Sequence, residues 1–339
     1  MGQGITDEDR FEVCGPKHMM SGVIDWNNEE HRRCIAACLV KACYVMEKDM
    51  ALASPWSESF GFRMDTLFFT DSSVINHKEY LTYGAVFELM EPACGPSSAP
   101  KYVVAFRGTM LFHANTLTDL VQNTLLLFNA QTEYTRFKET HSHVDDLIRG
   151  LSSGSVWLVG HSLGASLALE IGRTMMLEKG LKIPTFLFNP PHISPAPVIN
   201  GILSEENKTR LYTGSYTVKF ALANILPWHR KRTKKMFEQL GPWVPELYIN
   251  PADWICQGFM DYFVERQLMA ANHPRFASTA ARTSYRDILF FRKLRPQLLP
   301  SASLWTNWND GMDPHGLRQW WKPDCDLRLK YMRCVYPLS

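Results

Sequence analysis

The sequence predicts an α/β fold in which a mostly parallel central sheet is flanked by helices. Three short runs of apolar and β-branched residues, at 101–106, 156–159 and 184–188, have the length and composition of buried strands. The stretches between them have helical patterns, and this alternation of strand and helix is typical of a parallel sheet covered on both faces. With 45% hydrophobic and 21% charged residues, the 339-residue chain can build a full core.

The first elements of the predicted fold lie N-terminal to these strands. Apolar residues recur at helical spacing over residues 28–50 and predict an amphipathic helix. Residues 83–90 are predicted to form a strand, and residues 90–100 form a loop rich in proline and serine. The strand 101–106 then ends at an Arg-Gly pair.

Helices are predicted over residues 115–150 and 165–179, and Gly180 closes the second of them. Beyond residue 200 the pattern is less regular, with one further strand predicted at 245–249. We expect a single domain over residues 1–339. It has an N-terminal helical extension over about 1–60 and a Trp-rich C-terminal tail that carries a candidate histidine.

Composition and charge exclude several classes of protein. A net charge of +2 argues against a dedicated nucleic-acid-binding protein, so we expect no nucleic-acid partner. No apolar run reaches the ~18 residues of a membrane span, and the N-terminus lacks the apolar core of a signal peptide. We therefore expect a cytoplasmic protein. Gly2 fits an N-myristoylation pattern, but the acidic residues at 7–9 would repel an acylated terminus from anionic lipid.

The most specific motif is Gly160-His161-Ser162-Leu163-Gly164, which fits G-x-S-x-G and lies between a predicted strand and a predicted helix. An abrupt strand-to-helix turn strains the backbone of the serine, and flanking glycines leave room for that turn. The hydroxyl is then raised above the sheet edge, and the helix N-terminus favours developing negative charge. We predict that Ser162 is a nucleophile and that His161 points away from the site; a tight turn without chemistry is the alternative.

A second motif, F-R-G-T, ends at Thr109 and follows the strand 101–106. Acyl transfer builds an oxyanion, which needs backbone N–H donors that already point at it. We expect Leu163, directly after the serine, to supply one N–H group and Thr109 to supply the other. An Arg-Gly turn without a catalytic role is the alternative.

These motifs together resemble the class 3 lipase family, the fungal triacylglycerol lipase-like α/β-hydrolases. F-R-G-T, followed by Asp119-Leu120, and then G-H-S-L-G carry the resemblance. The G-P-K-H sequence at 15–18 and the H-G-L-R-Q-W-W sequence at 315–321 are similar to a plant branch of that family, some of whose members are labelled GDSL esterase/lipase. No G-D-S-L sequence occurs in the chain, so the GDSL hydrolase fold is not predicted.

The resemblance implies an α/β-hydrolase fold and a serine, an aspartate and a histidine in that chain order. Asp253 directly follows the predicted strand 245–249, from where a carboxylate can reach an imidazole at the sheet edge. Asp261, in a stretch with a helical pattern, is the alternative acid. For the base we favour His315, in a loop with glycine and proline on either side and matching the family's His-Gly motif, over His273 in another loop.

Two further segments bear on the substrate. Residues 113–128 are strongly apolar; in the related lipases this region carries a lid, and a core helix is the alternative. An apolar stretch at 220–228 leads into a basic run, for which we favour a buried helix that ends in a solvated cationic turn. The alternative is peripheral contact of Trp228 to Lys235 with a membrane or lipid droplet.

The sequence thus predicts a serine carboxylic ester hydrolase that acts on lipid-like acyl esters through an acyl-enzyme intermediate. It requires no metal and no organic cofactor, and no cysteine spacing typical of zinc is present. A lipase-like binding or signalling protein with little or no hydrolase activity is the alternative from another class. An acyltransferase or thioesterase with the same three residues is a further alternative.

Overall fold

The computed structural model describes residues 4–71, 80–90, 98–108, 131–192, 227–272, 299–309 and 313–336. Within these ranges, eight strands form one sheet whose spatial order is the same as their order in the chain. The strands are β1 (Phe62–Asp71), β2 (Tyr80–Leu89), β3 (Tyr102–Phe106), β4 (Val156–His161), β5 (Thr185–Phe188), β6 (Glu246–Ile249), β7 (Ala302–Asn307) and β8 (Leu329–Cys334).

The central part of the sheet is parallel. Each neighbouring pair from β3 to β7 is parallel, whereas the pairs β1–β2, β2–β3 and β7–β8 are antiparallel. The prediction of an α/β fold with a mostly parallel sheet flanked by helices is therefore confirmed. The predicted strands are present, but the sequence pattern does not predict β1, β7 or β8.

Helices precede and connect the strands. The longer helices in the described ranges are α1 (Glu29–Met46), α2 (Gln131–Ile148), α3 (Leu163–Lys179), α4 (Pro227–Leu240) and α5 (Gln257–Asn272). Single α-helical turns lie at Phe11–Cys14, Met50–Ala53 and Pro55–Glu58, and 3-10 helices at Asp7–Asp9, Lys17–Met19, Ser153–Ser155, Leu317–Trp321 and Asp324–Asp326. In this part of the chain, no helix has the length and apolar character that crossing a bilayer requires.

Local signals explain where two of these helices begin and end. The side chain of Asn28 accepts hydrogen bonds from the N–H groups of Glu30 and His31, which caps the start of α1. Gly180 adopts a left-handed φ of 69° and ends α3, as predicted. Of the helix predicted over 115–150, α2 is the described part. The lid-like segment 113–128 lies outside the described residues.

The two faces of the sheet are covered by different parts of the chain. When successive parallel strands are added in one direction across a sheet, right-handed crossovers place all the connecting helices on the same face. The helices α2 to α5 accordingly all contribute to one apolar cluster. The opposite face is covered by α1 and by the 3-10 helix Leu317–Trp321. Successive residues of β4 separate the two layers, since Leu158 belongs to the first cluster and Val159 to the second.

This topology gathers polar residues at one edge of the sheet, where the carboxyl ends of the parallel strands lie. Gly108 follows β3, Ser162 follows β4 and Asn189 follows β5. Asp253 lies four residues beyond the end of β6, and His315 lies on the loop between β7 and the next 3-10 helix. Residues distant in sequence therefore meet at this edge.

Candidate active site

Ser162 lies in a strained turn between β4 and α3. Its backbone φ of 54° and ψ of −126° are rare for a residue with a side chain. The flanking glycines are needed sterically: a Cβ on Gly160 would lie 2.4 Å from the carbonyl oxygen of Gly164, and a Cβ on Gly164 would lie 2.5 Å from that of Phe106. The turn therefore has the geometry that the G-x-S-x-G motif predicts.

The structure brings together Ser162, His315 and Asp253, the three residues favoured by the sequence. Ser162 Oγ lies 3.0 Å from His315 Nε2, and His315 Nδ1 lies 2.8 Å from Asp253 Oδ2. The serine and the aspartate are buried, whereas the histidine side chain is 32% exposed. Of the alternatives, Asp261 lies within α5 and His273 lies outside the described residues.

Asp253 is held in an ionised state by its hydrogen-bond donors. Burial would raise the pKa of this carboxyl group, but the hydrogen bond and charge of His315, with further hydrogen bonds from Asn189 and Cys256, outweigh burial and lower it below 3.8. The other carboxylate oxygen accepts the backbone N–H of Ile255 at 3.1 Å. An ionised acid of this kind can stabilise positive charge on the imidazole.

Two of these donors, Asn189 and Cys256, are not predicted from the sequence. The Asn189 amide lies 2.7 Å from Asp253 Oδ2, and the Cys256 thiol donates to the same oxygen at 3.1 Å. The position of Asn189 directly after a buried strand was a usable signal, because Ser162 has the same relation to its strand. Nothing in the local sequence distinguishes Cys256 from an ordinary buried cysteine.

A second polar chain runs beneath the site and involves His161. The N–H of Gly108 donates to the Tyr44 hydroxyl at 2.7 Å, so this hydroxyl directs its own hydrogen to His161 Nδ1 at 2.8 Å. His161 Nε2 then donates to the backbone carbonyl of His315 at 2.8 Å. His161 thus joins Tyr44 of α1 to the loop that carries His315. Tyr44, from α1, is a further residue that the sequence does not predict.

His161 is neutral in this arrangement. Burial, assisted by the charge of His315, lowers its pKa to about 3. The hydrogen-bond partners assign its proton to Nε2, because Nδ1 accepts from Tyr44. A neutral ring avoids placing a second positive charge next to His315, whose ring centroid is 5.0 Å away.

The structure describes one of the two predicted oxyanion donors, Leu163. Leu163 is the first residue of α3, and the N–H groups of a first helical turn have no partner within the helix. Thr109 lies outside the described residues. The preceding N–H, of Gly108, is directed to Tyr44. Among the described residues, no three His, Cys, Asp or Glu side chains are grouped as a metal ion would require.

The basic run forms part of helix α4. Its exposed cations are Lys231, Arg232, Lys234 and Lys235. Because α4 spans Pro227–Leu240, these charges lie within the helix, beyond its first turn. The favoured prediction of a cationic turn after a helix is therefore wrong for these residues. The side chain of Trp228 lies outside the described part of the structure.

Comparison with known proteins identifies a relative of nearly equal length. The chain is 32% identical over 348 residues to GDSL esterase/lipase At4g10955 of Arabidopsis thaliana, an alignment that covers 96% of this chain and 98% of that protein. No protein-family model matches the chain, and no solved structure matches it. The chain therefore belongs to the plant esterase/lipase family of this Arabidopsis protein, a family of carboxylic ester hydrolases.

Proposed function

We propose that the chain is a serine carboxylic ester hydrolase of the α/β-hydrolase, class 3 lipase-like type. In this proposal Ser162 is the nucleophile, His315 the general base and Asp253 the acid that orients the base. The observation that carries it is the alignment of the three side chains, with 3.0 Å from serine to histidine and 2.8 Å from histidine to aspartate. The strained backbone of the serine and the family membership support the same conclusion.

The proposed reaction proceeds through an acyl-enzyme. His315 Nε2 takes the hydroxyl proton as Ser162 Oγ attacks the carbonyl carbon of the ester. The tetrahedral intermediate collapses when the bond to the alcohol oxygen breaks and His315 returns the proton to that oxygen. Water, deprotonated by the same imidazole, then attacks the acyl-serine and releases the acid. Asp253 stabilises the imidazolium in both halves of the reaction.

We assign the oxyanion hole to the N–H groups of Leu163 and Thr109. The N–H of Leu163 opens α3, where the partial positive charge of the helix terminus supports a negative oxygen. Thr109 directly follows Gly108, which lies against Ser162, since a Cβ on Gly108 would be 2.9 Å from the Cβ of that serine. This proximity supports the assignment.

The proposed substrate is a lipid-like acyl ester. The name of the Arabidopsis relative supports this class, and so does the resemblance of the two motifs to lipases. In the same proposal, residues 113–128 form a lid over the acyl group, and the exposed cations of α4 contact an anionic membrane surface. Four exposed cations within five residues of one helix support this contact.

Hydrolysis of a panel of p-nitrophenyl esters and glycerolipids tests the proposed function. The wild type should hydrolyse at least one acyl-chain class, and Ser162→Ala should lower kcat by roughly a thousandfold or more. Ser166→Ala, one helical turn away on α3, is the matched control and should retain wild-type turnover. A wild type that is inactive on every ester would favour the lipase-like binding or signalling protein. Transfer to added alcohols in preference to water would instead favour an acyltransferase.

A further inference from the structure

Asn189 contacts both Asp253 and the loop that carries His315, and no step of the proposed mechanism uses this asparagine. It is fully buried and directly follows β5, the strand between those that lead to Ser162 and to Asp253. Its Nδ2 donates to Asp253 Oδ2 at 2.7 Å and to the carbonyl of Pro314, the residue before His315, at 2.9 Å. One amide therefore contacts both the acid and the backbone that carries the base.

The orientation of this amide follows from its partners. The indole N–H of Trp320, which is only a donor, lies 2.6 Å from Asn189 Oδ1. The carboxylate of Asp253 and the carbonyl of Pro314 are only acceptors, so both must face the NH₂ group. A flipped amide would leave three unfavourable contacts, and the side chain is thus held in a single arrangement.

The backbone of Asn189 is also unusual. Its φ of 47° is left-handed, a region where asparagine and glycine are the residues most often found. Glycine would meet this backbone requirement at the least cost. An asparagine here keeps the strained turn and adds the amide that reaches Asp253 and Pro314.

We propose that Asn189 is a positioning residue that fixes the carboxylate of Asp253 and the backbone of Pro314, and so holds the His315 imidazole in line with Ser162. This inference rests on the proposed function. Without the amide, Asp253 Oδ2 keeps only the His315 and Cys256 donors among its described side-chain contacts. The Pro314 carbonyl then keeps the donor from Gln319 alone among its described side-chain contacts. The imidazole can then move away from the serine hydroxyl.

Two substitutions distinguish the role of the Asn189 amide from that of its left-handed backbone. Asn189→Gly keeps the left-handed turn and removes the side chain, whereas Asn189→Asp keeps its shape and replaces the donor with a carboxyl group. Ser301→Ala is the matched control, because Ser301 is equally buried but its hydroxyl bonds to the Gly241 carbonyl and the Tyr336 N–H, at the end of the sheet opposite the site. Thermal unfolding of each variant establishes that it folds.

Turnover of a soluble short-chain ester is the first readout. Asn189→Gly should lower kcat roughly 10- to 100-fold with little change in KM, since misplacing a catalytic group by about 1 Å costs that much. Ser301→Ala should keep kcat within about threefold of wild type. A kcat of Asn189→Gly equal to that of the control would overturn the proposal.

The second readout is the acid limb of the pH profile of Asn189→Asp, which a packing defect would leave at its wild-type pH. A second carboxylate beside Asp253 adds negative charge near His315, with the Cys256 thiol as the other titratable group in contact. The imidazole then stays protonated to higher pH, so the acid limb of kcat/KM should move upward by about one pH unit or more. A limb that stays at its wild-type position would contradict the proposal.

Proton NMR separates this inference from the proposed function. The His315 Nδ1–H in its hydrogen bond to Asp253 should give a strongly deshielded signal in the wild type, whether or not the protein turns over an ester. Its loss in folded Asn189→Gly, with its retention in Ser301→Ala, supports the positioning role even if the wild type proves inactive. Its retention in Asn189→Gly, in an active wild type, refutes the positioning role and leaves the proposed function intact.

Discussion

At the scale of single residues, the site depends on two glycines that have no Cβ. Ser162 can adopt its left-handed φ only because Gly160 and Gly164 leave room for neighbouring backbone atoms that a Cβ would displace. Holding a residue in such a conformation costs on the order of 1–3 kcal/mol, which the surrounding packing must offset. Buried strands β4 and β5 on one side and α3 on the other supply that packing.

The choice between the two candidate bases has a direct test. His315→Ala should lower kcat on a soluble p-nitrophenyl ester by roughly a thousandfold or more, because it removes the group that accepts the serine proton. His273→Ala should leave kcat within about threefold of wild type. Steady-state kinetics of the two purified variants check this, and the reverse order of effects would mean that the wrong histidine has been assigned.

His161 should make the stability of the fold depend on pH. Its pKa is about 3 in the folded protein and near 6.5 when exposed, so between these values the unfolded state binds a proton that the folded state does not. The free energy of unfolding should therefore fall as pH falls through this window, by up to about 1.4 kcal/mol per pH unit. Urea denaturation of wild type and His161→Gln at about pH 7 and about pH 5 measures this. An equal change in the free energy of unfolding between the two pH values for both proteins would contradict the prediction.

At the scale of elements, the central strands could be read from the sequence and the outer ones could not. Strands β3 to β6 are short apolar runs, because a parallel strand covered on both faces excludes polar residues. Strand β8, at the edge of the sheet, has one buried residue among six and carries two basic residues, so it lacks that pattern. Strand β7 lies in a segment whose tryptophans and prolines obscure its periodicity.

The residues of the site also divide into those that the sequence predicts and those that it does not. Ser162, Asp253 and His315 could be predicted because a local motif and the chain order of a family identify them. Asn189 and Tyr44 depend on contacts across 64 and 117 residues of sequence, respectively, which no local pattern reveals. Residues that position a catalytic group are therefore harder to predict than the group itself.

Helix α1 should influence turnover through Tyr44. Tyr44→Phe leaves the N–H of Gly108 and the Nδ1 of His161 without their described partner, which should cost about 1–3 kcal/mol of stability. The loop of His315 should loosen and kcat fall by roughly tenfold. Urea denaturation and ester kinetics measure the two effects.

Tyr102→Phe is the control for this prediction. Its hydroxyl also makes a hydrogen bond within the sheet, to Glu88 at 3.1 Å, but at the opposite end of β3 from the site. It should lose some stability without losing kcat. Equal kcat values for the two phenylalanine variants would show that α1 has no bearing on the reaction.

At the scale of the whole molecule, the two ends of the chain cover the same face of the sheet. The buried guanidinium of Arg33, on α1, donates to the carbonyl of Trp320 at 3.3 Å and pairs with Asp324. The indole of Trp321 donates to the carbonyl of Cys14 at 2.8 Å. Since both ends contribute to one core, we propose that residues 1–339 form a single domain, with the N-terminal segment integral to it.

The proposed membrane contact also belongs to this scale. Wild type should bind anionic liposomes better than neutral ones, and binding should weaken with salt as the Debye length falls from ~10 Å at 0.1 M to ~3 Å at 1 M. Reversing the charges of Lys231, Arg232 and Lys235 should abolish the preference and leave hydrolysis of a soluble ester unchanged. Vesicle co-sedimentation at several salt concentrations checks this.

A matched variant controls for net charge. Reversal of Lys17, Lys101 and Lys330, which are exposed elsewhere on the described surface, changes the total charge by the same amount. This variant should keep most of the anionic preference. If both variants lose it equally, attraction by the overall charge accounts for binding and α4 is not a contact surface.

The central claim is that Ser162 is the nucleophile, and covalent capture tests it most directly. The purified protein is incubated with a p-nitrophenyl alkylphosphonate, and intact mass and peptide mass spectrometry follow. We predict one phosphonyl adduct per chain, on Ser162, with release of one p-nitrophenol and no adduct in Ser162→Ala. An adduct on another residue, or an active enzyme that forms none, would contradict the account.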